Sequence, residues 1–116
     1  MAKDTDLQHC IEILKIKVPS AQREEYIQKD AEIWTAALAN YPGFLGKQVW
    51  LNPKDSTEVI LVIHWETREH WKAISLTELE VIEQKFNQEL GFSSEIVEVC
   101  EYHVHKFTSE VKSLIF

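Results

Sequence analysis

The sequence predicts an α+β fold with element order β-α-β-β-α-β, ferredoxin-like in topology. Three observations lead there. Strand-like and helix-like hydrophobic periods follow one another along the chain in that order. The segment Asn52-Pro-Lys-Asp-Ser-Thr57 is a short cluster of turn formers between the second and third strands, so those two pair antiparallel. Right-handed crossovers then place two helices on one face of a four-stranded antiparallel sheet.

Residues His9–Val18 read as the first strand, rich in β-branched residues and ended by Pro19. Ser20 has the side chain of an N-cap for the next stretch. There Ile27, Ala31, Trp34, Leu38 and Tyr41 recur at helical spacing, opposite a polar face of Arg23, Glu24, Lys29 and Glu32. This helix should stop before Pro42-Gly43. Lys47–Leu51 reads as the second strand, and Glu58–Trp65 as the third. Thr67 caps a short helix, Arg68–Ala73. Ser75-Leu-Thr-Glu78 is a capping box with Ile74 and Leu79 as its hydrophobic staple. Leu79, Ile82, Phe86 and Leu90 then form a helical stripe that ends at Gly91, suited to a left-handed C-terminal cap. The last strand is about Ile96–Phe107, and 108–116 form an apolar tail. With no repeat, low-complexity tract or linker, residues 1–116 are expected to form a single domain with its core at about 9–107.

The third strand carries a further consequence. One of its faces holds Val59, Leu61, Ile63 and Trp65, and the other Ile60, Val62 and His64. A half-exposed antiparallel strand would alternate apolar and polar, so both faces of this one should be covered. The two helices cover one face, and the pattern alone does not say which. Leaving the other wet forfeits roughly 1.5–3 kcal/mol for each large aliphatic side chain. A second copy packed sheet to sheet about a two-fold axis is the simplest cover, which predicts a homodimer.

Composition removes several classes of function. The 116 residues include 12 Lys plus Arg and 19 Asp plus Glu, a formal net charge of −7, which argues against a nucleic-acid partner. Hydrophobic residues at 45% support a packed core rather than an acidic disordered tail. The longest strongly apolar run, Val59–Ile63, is far short of a membrane span of roughly 20 residues, and the first residues show no apolar leader. Cys10 and Cys100 are expected as reduced thiols of a cytoplasmic protein. No Gly-rich phosphate loop, Gly-x-Ser-x-Gly elbow or Cys-x-x-Cys pair is present.

Tyr41-Pro-Gly-Phe-Leu-Gly46, the turn at Asn52-Pro-Lys-Asp55, and Ile63-His-Trp-Glu-Thr-Arg-Glu-His-Trp71 resemble the antibiotic-biosynthesis monooxygenase-type families over roughly residues 11–107. That resemblance implies a dimeric α+β barrel of ferredoxin-like protomers. It implies three kinds of activity: cofactor-independent oxygenation of polyketide quinols, haem degradation, or simple binding of small molecules. Two departures stand out. Many relatives carry an acidic residue two positions before the strand-three Trp, where this chain has Ile63. Haem-degrading relatives use an Asn on strand one and a His on the second helical segment, and neither is found at those places here.

Within that frame, the site is expected in an apolar pocket between helices and sheet that takes a small hydrophobic or aromatic ligand, with no cofactor. His64 is the candidate catalytic residue, because a partly buried imidazole titrates near neutrality and can take a proton from a phenol or quinol. Its plainer reading is a satisfied core or interface histidine. Trp50 and Trp71 are candidate pocket walls, with Trp34 and His103 also expected at the ligand pocket; the plainer reading makes Trp34 and Trp65 core anchors. An alternative is a ligand-binding or stress-associated dimer in which these residues only pack. A further alternative is haem held by an axial His64, His70 or His103. Glu101, His103 and His105 alternate onto one strand face, but two imidazoles and a carboxylate fall short of a converging ligand set, so no metal site is assigned.

Overall fold

The computed structural model describes residues 9–105. Along the chain run β1 (Cys10–Lys17), α1 (Arg23–Asp30), α2 (Ala36–Leu38), β2 (Phe44–Trp50), β3 (Glu58–Trp65), α3 (Arg68–Lys72), α4 (Leu76–Leu90) and β4 (Glu95–His103). The strands form one antiparallel sheet in the order β2-β3-β1-β4, the α+β ferredoxin-like arrangement that the sequence predicts. The last strand ends at His103, short of the expected Phe107, with Val104 and His105 already out of strand conformation; residues 106–116, the expected tail among them, lie outside the described residues. Among those residues, no helix is long and apolar enough to cross a membrane.

Register decides which side chains meet the helices. Cys10, Glu12, Leu14 and Ile16 of β1 stand opposite Trp65, Ile63, Leu61 and Val59 of β3. This face packs on Tyr26 and Ile33 from the first helical stretch and on Phe86 and Leu90 from α4. The alternate positions, among them Ile13, Ile60, Val62 and His64, fall on the opposite face of the sheet. So β3 is apolar on both sides, and Val59 and Val62, on opposite faces, are both fully buried.

The second crossover follows its caps. Thr67 accepts a hydrogen bond from the His70 N–H, and Ser75 accepts one from the Glu78 N–H at 3.2 Å. Ile74 and Leu79 join one core cluster, as a staple should. Gly91 closes α4 at φ 75°, a left-handed conformation.

The first crossover departs from expectation in two places. Ser20 caps nothing: Pro19 takes the cap position in extended conformation, and Ser20 opens a single 3-10 turn, Ser20–Gln22. Between α1 and α2 the helix widens into a π turn, Ala31–Thr35. The buried residues of this stretch are therefore Tyr26, Asp30, Ile33 and Leu38, with five residues rather than four across the wide turn. Ile27 and Trp34 are half-buried and Ala31 is exposed, so the stripe predicted at regular spacing is rotated. β2 starts earlier than expected, at Phe44, because a bulge at Gly46 lets the Pro-Gly-Phe turn run straight into the strand.

Candidate functional site

A cavity of about 590 Å³ lies between the helices and the sheet and opens at edge strand β4. Its base is apolar, with Leu14, Leu61 and Ile63 from the sheet, and Trp34 and Trp71 stand among its walls. Trp71 is held from outside by Lys72, whose ammonium sits 4.0 Å from the ring centroid.

Two charged side chains of the sheet, Glu12 and Lys47, line this apolar space. Glu12 on β1 and Lys47 on β2 both stand opposite Ile63, so they flank it in one row across the sheet, and Glu101 of β4 extends the row beyond Glu12. Lys47 is paired with Asp30 of α1, the two side chains each only 3% exposed. Glu101 is paired with Arg68. Among the described residues, Glu12 is the member of the row without an ion-pair partner. Burial raises its pKa above the usual carboxyl value and Glu101 adds to this, while the Trp65 indole N–H and the Lys47 and Lys72 charges pull the other way. Asp30 is raised as well, by burial that its Lys47 partner only partly offsets.

Beside Glu12 is the Trp65 indole. Trp65 lines the cavity, and its buried Nε1–H makes no hydrogen bond of good geometry among the described residues; the neighbouring Glu12 carboxyl is the acceptor it leans on, and that contact is its downward pull on the Glu12 pKa. A buried donor without a well-placed acceptor costs about 1–3 kcal/mol, so this N–H gains from any acceptor better aligned than Glu12. Tyr26 also lines the cavity, its hydroxyl pushed up by burial and by the Asp30 and Glu83 charges, so it stays a neutral phenol.

Not all the residues singled out from sequence meet here. Trp34 and Trp71 line the cavity; His64, Trp50 and His103 do not. His64 and Trp50 occupy the opposite face of the sheet, since both fall at β-strand positions out of phase with Ile63. His64 and Trp71 therefore cannot act as polar group and wall of one pocket. His64 instead has its own cluster: Nε2 donates to Gln48 Oε1 at 3.0 Å, and Nδ1 accepts from His9 Nε2 at 3.1 Å. Burial and the neighbouring His9 lower its pKa, which keeps it neutral near pH 7. Cys10 and Cys100 are both free thiols, and no group of three or more metal-ligating side chains forms among the described residues.

The groups that sequence reasoning missed are Glu12, Asp30, Lys47 and Trp65 as a site residue. A signal for Glu12 was present: it shares strand parity with Cys10, Leu14 and Ile16, which puts a carboxylate on a core-facing position.

A ferredoxin-like sheet with helices over one face and a polar-spiked cavity between the layers defines a small α+β protein of ferredoxin-like type. The family model for antibiotic biosynthesis monooxygenases matches residues 10–78. The chain belongs to that family. Solved structures share the fold at low identity. A candidate antibiotic biosynthesis monooxygenase from Bordetella bronchiseptica is 16% identical, with 84% of this chain and 97% of that one covered at a TM-score of 0.66. SnoaB, a cofactor-independent oxygenase from Streptomyces nogalater, is 13% identical over 89% and 99% of the two chains, TM-score 0.62. The heme-degrader MhuD from Mycobacterium tuberculosis, solved with two hemes in its active site, is 23% identical over 86% and 99%, TM-score 0.59. No curated protein sequence matches the chain.

The residues around the cavity do not fit a haem held by an axial histidine. Among the described residues no His lines it: His64 lies across the sheet, His103 is outside the lining, and His70 is packed against Gly43.

Proposed function

We propose that this chain binds a small, planar, hydrophobic or aromatic molecule in the cavity between helices and sheet and oxygenates it without metal or flavin. The observation that carries this reading is the pair formed by Glu12 and the Trp65 N–H in one apolar cavity: a carboxyl poised to take a proton, next to a buried donor that has no well-aligned acceptor. In this reading the Glu12 carboxylate accepts the proton of a phenol or quinol hydroxyl. Burial strengthens it as a base. The resulting phenolate is electron-rich enough to react with dioxygen directly, and Trp65 Nε1–H donates to the oxygen that holds the negative charge. A phenol and dioxygen give a quinone and water, the substrate itself being the reductant. The family membership and the SnoaB fold support the reaction class.

Glu12, not His64, is the base in this proposal, because the cavity and His64 are on opposite faces. The face that holds His64 also carries Ile13, Ile60 and Trp50, the last 48% exposed, and we assign it to a two-fold partner, giving a cytoplasmic homodimer. Sedimentation should return twice 13.6 kDa at micromolar concentration.

Oxygen uptake by the purified chain with a panel of phenols and quinols tests the reaction. Glu12→Gln should abolish uptake while circular dichroism is retained, and His64→Ala should leave it. Uptake that survives Glu12→Gln removes the mechanism.

A further inference from the structure

The mouth of the cavity carries information about its ligand that the reaction class does not. Leu76, Glu80, Glu83 and Asn87 follow at steps of four, three and four on α4, so they share one helical face, and all four line the opening. Across the mouth stand Ile96 and Val99 of β4, on the helix side of the sheet yet 54% and 60% exposed. An entering molecule thus slides between an apolar edge strand and two exposed carboxylates. Deeper in, Glu12 and Asp30 add two more acidic groups. Against these four carboxyl groups the lining holds one ammonium, Lys47, already bound to Asp30.

We infer that the cavity selects by charge: it admits neutral or cationic aromatic molecules and rejects those bearing a carboxylate. This rests on the reading of the cavity as the ligand site. Two features join in it, the acidic mouth and the buried Trp65 N–H, which has no well-aligned acceptor and so marks the interior as a place where a ligand acceptor docks. An anion passing the mouth meets Glu80 and Glu83 before any cation, and no uncommitted cation among the lining residues waits inside to offset the repulsion. A neutral hydroxyl or carbonyl meets Trp65 with no such opposition, and a basic nitrogen gains from the carboxylates. The net charge of −7 acts in the same direction at longer range. Molecules that carry carboxylate side arms, haem with its propionates included, are disfavoured by the same field.

Three naphthalenes of near-equal shape provide the test: 1-naphthol, 1-naphthylmethylamine as the cation, and 1-naphthoate as the anion, each titrated calorimetrically into the full chain near neutral pH and at low and high salt. Naphthol and the amine should bind, with naphthoate about tenfold weaker or worse at low salt, and the gap should narrow at high salt. In the exposed-site variant Glu80→Gln/Glu83→Gln the naphthol-to-naphthoate ratio should fall several-fold. Naphthoate binding as tightly as naphthol overturns the charge selection while leaving the cavity a ligand site. So does a ratio unmoved by the double substitution. Failure of all three probes to bind overturns the cavity reading itself, and the selection with it.

Discussion

Lys47 Nζ and Asp30 Oδ2 lie 2.5 Å apart, each side chain 3% exposed, so an ion pair inside the protein ties β2 to α1 at the cavity wall. Removing one partner leaves the other charge buried and alone, a loss of about 3–5 kcal/mol, whereas replacing both with apolar groups of similar volume is near neutral. Lys47→Met and Asp30→Asn should each lower the urea midpoint strongly. Lys47→Met combined with Asp30→Leu should recover most of the loss. Single variants that cost under about 1 kcal/mol would show that water reaches the pair.

Glu12 makes a pH prediction with a definite sign. Its folded-state pKa is raised, by burial first and by Glu101 second. Between the ordinary carboxyl value and that raised value the folded chain holds the proton that the unfolded chain has released, so this group's contribution is present at low pH and lost as pH rises through the window. Asp55 acts in the reverse direction. Its carboxylate accepts from the Thr57 hydroxyl at 2.6 Å and the Thr57 N–H at 2.9 Å, with Lys17 Nζ at 3.0 Å, and its pKa is held below the usual range. Its contribution is present above that range and lost on acidification. Comparing wild type with Glu12→Gln across pH cancels Asp55 and isolates Glu12. The variant should be more stable near neutral pH, with the difference shrinking as the solution is acidified. A difference flat with pH would contradict a buried, titrating Glu12.

These two residues also mark where sequence reading stops. The two-sided apolar pattern of β3, the Ser75 cap and the helical stripe ending at Gly91 are local signals that appear in the structure where the sequence places them, while the Glu78 half of the capping box is turned to the Tyr41 hydroxyl instead. Which face of β3 meets the helices is not local. The parity of Val59, Leu61 and Ile63 against Ile60, Val62 and His64 is written in the chain, but crossover packing decides which set lines a cavity. The pattern therefore puts His64 on a strand face without saying which layer that face meets, and the structure sets it on the face away from the cavity. Asp30 reaches the core through a helix whose wide turn, Ala31–Thr35, breaks regular spacing, and Lys47 takes its phase from the bulge at Gly46. A polar residue at a core position reads as an interruption until its partner from another element is known.

The α4 cap gives a smaller, cleaner expectation. Ser75 Oγ accepts from the Glu78 N–H at 3.2 Å at the exposed start of the helix. Ser75→Ala should cost about 1 kcal/mol and Ser75→Gly only a few tenths, because glycine leaves the end open to water. Equal losses for the two would assign the effect to something other than the side-chain cap. Thermal denaturation at fixed protein concentration separates them.

Gly43 joins the turn before β2 to the start of α3, and two independent constraints hold it. Its φ is 86°, in the region that side-chain-bearing residues rarely adopt, and a Cβ placed there would stand 2.3 Å from His70 Cγ and 2.4 Å from His70 Cβ. The imidazole is not free to swing away, since Thr67 Oγ1 engages its Nδ1 at 2.7 Å and also accepts from the His70 N–H. The backbones are locked as well: Glu66 N–H donates to Gly43 O at 2.7 Å. Gly43→Ala should therefore cost more than the roughly 1–2 kcal/mol of left-handed strain alone. Truncating the neighbour in the same chain, as His70→Ala, should not rescue it, because the His70 Cβ is itself part of the clash. Denaturant unfolding of the single and double variants reads this directly; recovery in the double variant down to the left-handed strain alone would mean that the ring alone fills the space, and a cost near zero for Gly43→Ala would mean that the turn and helix are free to part.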